Sequence, residues 1–188
     1  MSSLPEYRIT PEEYLALERT SEGRSEYVDG VVVAMSGGSE PHSVIAVNLM
    51  TLLNIHLRGR PCRVFTSDMK VHRANTSRYF YPDVTVVCGE SEFRDEHRDV
   101  LMNPLLLIEV LSGDTENYDR GTKFTSYIRL DSLQEYVLVS QHAPVVEHYT
   151  RQGPGDWHYT RVEGIEQSVT FSSVELVVKL SDIFDKAI

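Results

Sequence analysis

The alternation of apolar and polar positions divides the chain into recognisable elements. Thr10-Pro11-Glu12-Glu13 opens a helix: Thr10 suits the N-cap, Pro11 the first helical position, and Glu13 completes a capping box. This helix is predicted to run to about Arg19. Ser25 to Ala34 (SEYVDGVVVA) alternates like a hairpin turning at Asp29-Gly30. After the loop Met35-Ser36-Gly37-Gly38, Ser39-Glu40-Pro41 starts a longer helix. Its apolar side is read as Val44, Val47, Leu49, Leu52 and Leu53, and its end lies near Arg58-Gly59.

Strand patterns dominate the rest. Residues 62–72 and 79–88 are two β-rich runs joined by the polar turn Arg73-Ala74-Asn75-Thr76-Ser77. Residues 90–99 are too polar for a strand and read as helical or loose. Pro104-Leu105-Leu106-Leu107-Ile108-Glu109-Val110-Leu111 is nearly all apolar, as expected of a central strand covered on both faces. A helix fits residues 118–130. Strands are predicted over 135–139, 145–149, 157–161 and 173–178, with turns at Gly153-Pro154-Gly155 and Gly164, then one helical turn at Ser181-Asp182-Ile183-Phe184. The order α, hairpin, α, β, β, β, α, then β-rich predicts a mixed α/β sheet domain rather than a βαβ repeat.

Length changes this picture little. A chain of 188 residues suits one domain, 1–188, and can bury roughly 70% of its unfolded surface without staples. No apolar run approaches the ~20 residues of a membrane span, and MSSLPEYRIT has no secretory pattern. Cys62 and Cys88 sit in strand-like surroundings and read as reduced core residues, which makes the cytoplasm the default compartment. The net charge of −10 argues against a protein that coats nucleic acid nonspecifically. The charge is uneven, however: Arg58, Arg60, Arg63, Lys70, Arg73 and Arg78 face one acid, Asp68, within 21 residues. This strip is either the basic edge of a solvated strand pair or a phosphate-facing surface that His72 would join.

One residue breaks the hydrophobic pattern. Glu109 stands in the middle of the most apolar strand, where a carboxylate costs several kcal/mol unless a partner or metal is present (on the order of 3–5). Asp83 occupies a similar setting in Tyr81-Pro82-Asp83-Val84-Thr85-Val86-Val87. Adjacent strands lie about 4.8 Å apart, so two such acids at matching heights can share a hard cation, Mg²⁺ or Mn²⁺. The alternative is that each acid pairs with a buried Arg or Lys. Asp119, Lys123 and Tyr127 are spaced i, i+4, i+8 on the following helix and share one face. Lys123 therefore reads either as a group that stabilises negative charge beside a metal, or as half of a surface ion pair with Asp119. The seven histidines show no zinc spacing, and no phosphate-binding loop or Gly-x-Ser-x-Gly is present. No small-molecule cofactor is expected. Trp157, Tyr149 and Tyr159 fit a hairpin core or dimer surface better than base stacking.

Pro82-Asp83 followed 26 positions later by Glu109 resembles the PD-(D/E)XK nuclease superfamily. More closely, the chain resembles the Uma-two family of restriction-endonuclease-like proteins, from about Ile9 to the end. The matching stretches are Ser25-Glu26-Tyr27-Val28-Asp29-Gly30, His42 ahead of Asn48-Leu49, Tyr81-Pro82-Asp83-Val84, Ile108-Glu109-Val110-Leu111-Ser112, Asp119, Lys123 and Tyr127, and Leu133–Val139. The resemblance implies a restriction-endonuclease-like mixed central sheet flanked by helices, with additional C-terminal strands. It implies Asp83 and Glu109 as metal ligands, with the Val110 carbonyl completing the set. Lys123 would replace the lysine usual two positions after the glutamate, where this chain has Leu111. Glu26 would be an auxiliary acid, or pair with Arg24; His42 would sit near the site, or cap its own helix. The implied reaction is Mg²⁺- or Mn²⁺-dependent hydrolysis of DNA phosphodiesters by a homodimer, with Arg58, Arg60, Lys70, Arg73 and Arg78 as candidate backbone contacts. The alternatives are a non-catalytic nucleic-acid-binding or regulatory homodimer that keeps the fold, and an interaction module built on the C-terminal strands.

Overall fold

The computed structural model describes residues 8–35, 37–113 and 116–188. The predicted loop residue Ser36 therefore lies outside the described residues. Helix α1 (Pro11–Glu18) begins with the expected capping box: Thr10 Oγ1 accepts from Glu13 N, and Glu13 returns a carboxylate to Thr10 N. Strands β1 (Ser25–Val28) and β2 (Val31–Ala34) pair through a turn in which Asp29 and Gly30 both have positive φ, as a two-residue hairpin turn of this hand requires. Helix α2 (Glu40–His56) is N-capped by Ser39. Its buried side is Ile45, Ala46, Leu49 and Leu53, continued by the cap residue Leu57. Val47 on the expected apolar side is exposed instead. The i, i+4 row Ile45-Leu49-Leu53-Leu57 covers the sheet, and the correct rotation is set by that row, not by the valines.

The two predicted β runs each break into two strands. They give β3 (Cys62–Thr66), β4 (Lys70–His72), β5 (Arg78–Phe80) and β6 (Val84–Cys88). β4 pairs with β5 and β3 with β6, all antiparallel, so one long hairpin passes from one sheet into another. The breaks fall at Ser67–Met69 and Tyr81–Asp83; Pro82, which has no N–H, is well suited to the second. Residues 90–99 are irregular, and the short β7 (Val100–Leu101) follows them.

β8 (Leu106–Leu111) is the central strand, buried at every position. After it come α3 (Glu116–Tyr118), a π-helical turn (Asp119–Lys123) and α4 (Phe124–Tyr127), where one continuous helix is predicted. Strands β9 (Glu135–Ser140), β10 (Val145–Gly153) and β11 (Asp156–Glu163) form a meander. Tyr149 pairs with Tyr159 across β10 and β11, and the Arg151 guanidinium covers Trp157, so the aromatics serve the hairpin. The C-terminal part is β12 (Ser168–Phe171), a 3₁₀ turn (Ser172–Val174), β13 (Leu176–Lys179) and α5 (Leu180–Ile183). The single strand expected over 173–178 is thus a 3₁₀ turn followed by β13.

The larger sheet has the order β11-β10-β9-β8-β6-β3, with β8 parallel to β9 and its other neighbours antiparallel. The smaller has the order β2-β1-β5-β4-β7. One face of the larger sheet packs on α2 and the C-terminal elements through Leu106, Ile108 and Val110. Leu107 and Leu111 face the opposite cluster, with Phe80, Tyr127 and Tyr136. Alternation along β8 therefore puts Glu109 on the side of Leu107 and Leu111. Among the described residues no helix is long and apolar enough to cross a membrane.

The cysteines correct the sequence reading. Cys62 and Cys88 are directly opposite in the β3/β6 register, and their sulfurs form a disulfide. Local sequence placed each in a strand but could not reveal that the two strands pair in this register.

Candidate active site

The site lies at the seam between the two sheets. The hairpin break at Tyr81–Asp83 delivers Asp83 one residue before β6, and Val84 pairs with Ile108, so Asp83 stands next to Glu109 in the extended register. The same break exposes the Tyr81 amide, which donates to Glu26 Oε1 of β1 at 2.9 Å. β8 supplies Glu109, and the π turn supplies Asp119 and Lys123. A π turn widens the helix by one residue, and such turns concentrate at functional positions.

Lys123 is the hub. Its Nζ lies 3.1 Å from Glu26 Oε1 and 3.2 Å from both Glu109 Oε1 and Asp119 Oδ1. All four side chains are at most 7% exposed, so these are buried ion pairs in which desolvation and attraction are both large. Burial alone would pull the Lys123 ammonium down, but Glu109, Glu26, Asp119 and Asp83 outweigh it and hold the lysine charged. Burial pushes the Glu109 carboxyl well up; Lys123 draws it back, and Asp119, Asp83 and Glu26 raise it again. Four carboxylates around one ammonium leave the cluster short of positive charge.

Around this hub the donors are arranged unevenly. Tyr127 donates to Glu109 Oε1 at 3.1 Å, the same oxygen that Lys123 engages. The Val110 N–H donates to Asp83 Oδ2 at 2.7 Å, and His42 Nε2 approaches that same oxygen at 3.2 Å. The hydrogen bond to Asp83 raises the His42 pKa against the effect of burial. No protein donor engages Asp83 Oδ1 or Glu109 Oε2 among the described residues. Both residues line one cavity of about 520 Å³, together with Glu26, His42, Val110 and Lys123.

The donor set suits a hard divalent cation in chemistry: two carboxylates each keep an oxygen without a donor among the described residues, in a site with excess negative charge. As the side chains stand, no group of three or more His, Cys, Asp or Glu is arranged around a metal position among the described residues. Two carboxylates suffice for Mg²⁺, which commonly keeps part of its hydration.

The basic strip does not form one surface. Lys70, expected among the backbone contacts, is buried, with Nζ 3.1 Å from Asp99 Oδ2 and 3.1 Å from the Tyr81 hydroxyl. It neutralises an internal acid rather than facing solvent. His72 is also buried, stacked on Tyr79. Arg60 pairs with Glu175, and Arg58 lies beyond the far end of α2 from His42. Arg73 and Arg78 line a different cavity. Arg24 pairs with Asp68, which leaves Glu26 to Lys123.

The sequence left a surface ion pair with Asp119 open as one reading of Lys123; Asp119 is instead the third buried acid on its ammonium, after Glu26 and Glu109. Its i, i+4 spacing from Lys123 carried the contact but not the burial. Gln141 and His142, on the cavity rim after β9, were not foreseen, because loop residues after a strand carry no periodic signal.

The family model described as "Putative restriction endonuclease", Uma2, matches residues 11–182. The chain belongs to this family. Two uncharacterized proteins of Synechocystis sp. are similar to this Uma2 chain. One is 42% identical over 82% of this chain and 80% of its own length, the other 34% identical over 89% and 95%. The crystal structure of "a putative nuclease belonging to DUF820" from Anabaena variabilis shares the fold. Its TM-score is 0.76 at 23% identity, covering 96% of this chain and 99% of that one. The expected restriction-endonuclease-like architecture is therefore the observed one.

Proposed function

We propose that this Uma2 protein is a Mg²⁺- or Mn²⁺-dependent endonuclease that hydrolyses phosphodiester bonds in DNA. The observation that carries the reading is the convergence of Asp83 and Glu109 on one cavity, each with one oxygen that no donor among the described residues engages, beside the charged Lys123. Asp83, Glu109 and the Val110 carbonyl would hold the cation, which when bound supplies Lewis-acid polarisation of the phosphoryl group. The protein's own groups orient and neutralise. Tyr127 and Lys123 fix Glu109 through Oε1, and the Val110 amide and His42 fix Asp83 through Oδ2. Lys123 presents an ammonium that stabilises charge developing on phosphate oxygens. Glu26 and Asp119 hold that ammonium in place, and His42 Nε2 lies against Asp83 Oδ2. A two-fold assembly would bring two such sites to opposite strands of a duplex.

The test is cleavage of supercoiled plasmid in Mg²⁺ and in Mn²⁺. Asp83→Ala and Glu109→Ala should each lower the rate by at least about a hundredfold. Full metal-dependent cleavage by either variant would remove that residue from the site. The second reading, a non-catalytic nucleic-acid-binding protein, is favoured by Leu111 at the usual lysine position and by the engagement of Lys123 with three carboxylates. DNA binding without cleavage in either metal would select it.

A further inference from the structure

Tyr127 lines one cavity and touches a residue of another. Its hydroxyl reaches Glu109, yet the residue itself lines a second depression of about 370 Å³ that shares no lining residue with the first. Buried Val71, Phe80, Tyr127 and Leu130 form its apolar part. Three arginines join them. Arg78 is satisfied: Nε and Nη2 donate to Asp29 Oδ2 at 3.0 and 2.6 Å, and Nη1 donates to Ser126 Oγ at 2.9 Å. Arg73 is only half used, its Nε donating to the Arg129 carbonyl at 2.8 Å. That bond ties the two chain segments together and leaves the Arg73 Nη groups available. Neither Arg73 nor Arg129 forms an ion pair with an acid among the described residues. Asp29, the one acid in the lining, is already occupied by Arg78. A concave surface with two unpaired guanidiniums in a chain of net charge −10 is a local reversal of sign.

We propose that this cavity binds a phosphate-bearing ligand, with Arg73 and Arg129 on the phosphoryl oxygens and the apolar part beneath the remainder. Guanidinium forks match phosphate geometry, and the volume suits a nucleotide-sized group. The phosphate can come from a free nucleotide or from the backbone of a bound nucleic acid. Only the second source rests on the nuclease reading.

Binding is measured on the full chain in EDTA, where metal-dependent cleavage is silent. AMP and pyrophosphate are titrated by calorimetry, and a fluorescein-labelled single-stranded oligonucleotide by anisotropy. Arg73→Ala/Arg129→Ala should weaken the ligand that binds by about tenfold or more, while Arg161→Ala, at an exposed arginine paired with Glu163 and outside both cavities, changes it less than about twofold. Arg129→Glu alone, at an exposed position, should weaken it comparably and carries the test if the double variant misfolds. Loss of AMP binding identifies a free nucleotide; loss of oligonucleotide binding alone identifies a backbone contact. AMP and pyrophosphate binding in EDTA does not draw on the metal site, so failure of that site and failure of this one are read separately. If no phosphate ligand binds at millimolar concentration, or if the arginine variants bind unchanged, the cavity is only a solvated basic depression and the proposal falls.

Discussion

Lys123 is the residue on which the site's electrostatics turn. Its ammonium contacts Glu26, Glu109 and Asp119 within 3.2 Å, in surroundings that water scarcely reaches. Removing one partner of such a cluster leaves uncompensated buried charge, whereas removing both partners costs less. Lys123→Met is therefore expected to destabilise the protein by about 3–5 kcal/mol in denaturant unfolding. Adding Glu109→Gln to that variant should recover part of the loss. Wild-type stability in Lys123→Met would show that the carboxylates do not depend on this lysine. At this scale the sequence was informative about identity: Glu109 is conspicuous because carboxylates do not belong in all-apolar strands. Asp119 was not, because an acid one turn from a lysine looks the same on a surface as in a core.

The elements show where periodicity succeeds and where it misleads. Capping chemistry located both helix starts, since Thr10 and Ser39 each satisfy a backbone amide of the first turn. The rotation of α2 was misread because Val44, Val47, Leu49, Leu52 and Leu53 spread over a wide arc. The sheet selects the Ile45-Leu49-Leu53 row. Leu53→Ala, at a fully buried position, should cost about 2–5 kcal/mol, and Val47→Ala, at 54% exposure, less than about 0.5 kcal/mol. Equal losses in thermal or urea unfolding would contradict this orientation. The split of two long β runs into four strands also escaped the pattern. Alternation continues through a bend, and only the change of pairing partner marks the break.

Across the whole molecule, α1 is tied to the small sheet by charge as well as by Tyr14 and Leu15. Arg19 bridges Asp95 and Asp99, and Lys70 reaches Asp99 from β4. The hydrogen bond from Arg19 holds the Asp99 carboxyl well below the usual carboxylate range, with Lys70 adding to the effect against burial; Arg19 lowers Asp95 likewise. A depressed folded-state pKa stabilises above the unfolded value, roughly pH 4, and that contribution disappears as pH falls toward the folded value. Unfolding midpoints should therefore drop between about pH 5 and pH 2, and Asp99→Asn should flatten the drop. An unchanged acid profile in that variant would mean that the network adds nothing to stability.

The sequence by itself determined most of the element types, the central buried strand, the two out-of-place acids and the family resemblance, because these depend on local spacing and composition. Tertiary structure decided what depends on which segments meet. It joined Cys62 to Cys88, withdrew Lys70 and His72 from the surface, and carried one hairpin through two sheets. It also brought Glu26, Glu109, Asp119 and Lys123 from three separate segments to one seam, where long-range packing, invisible to any local pattern, sets each group's charge environment.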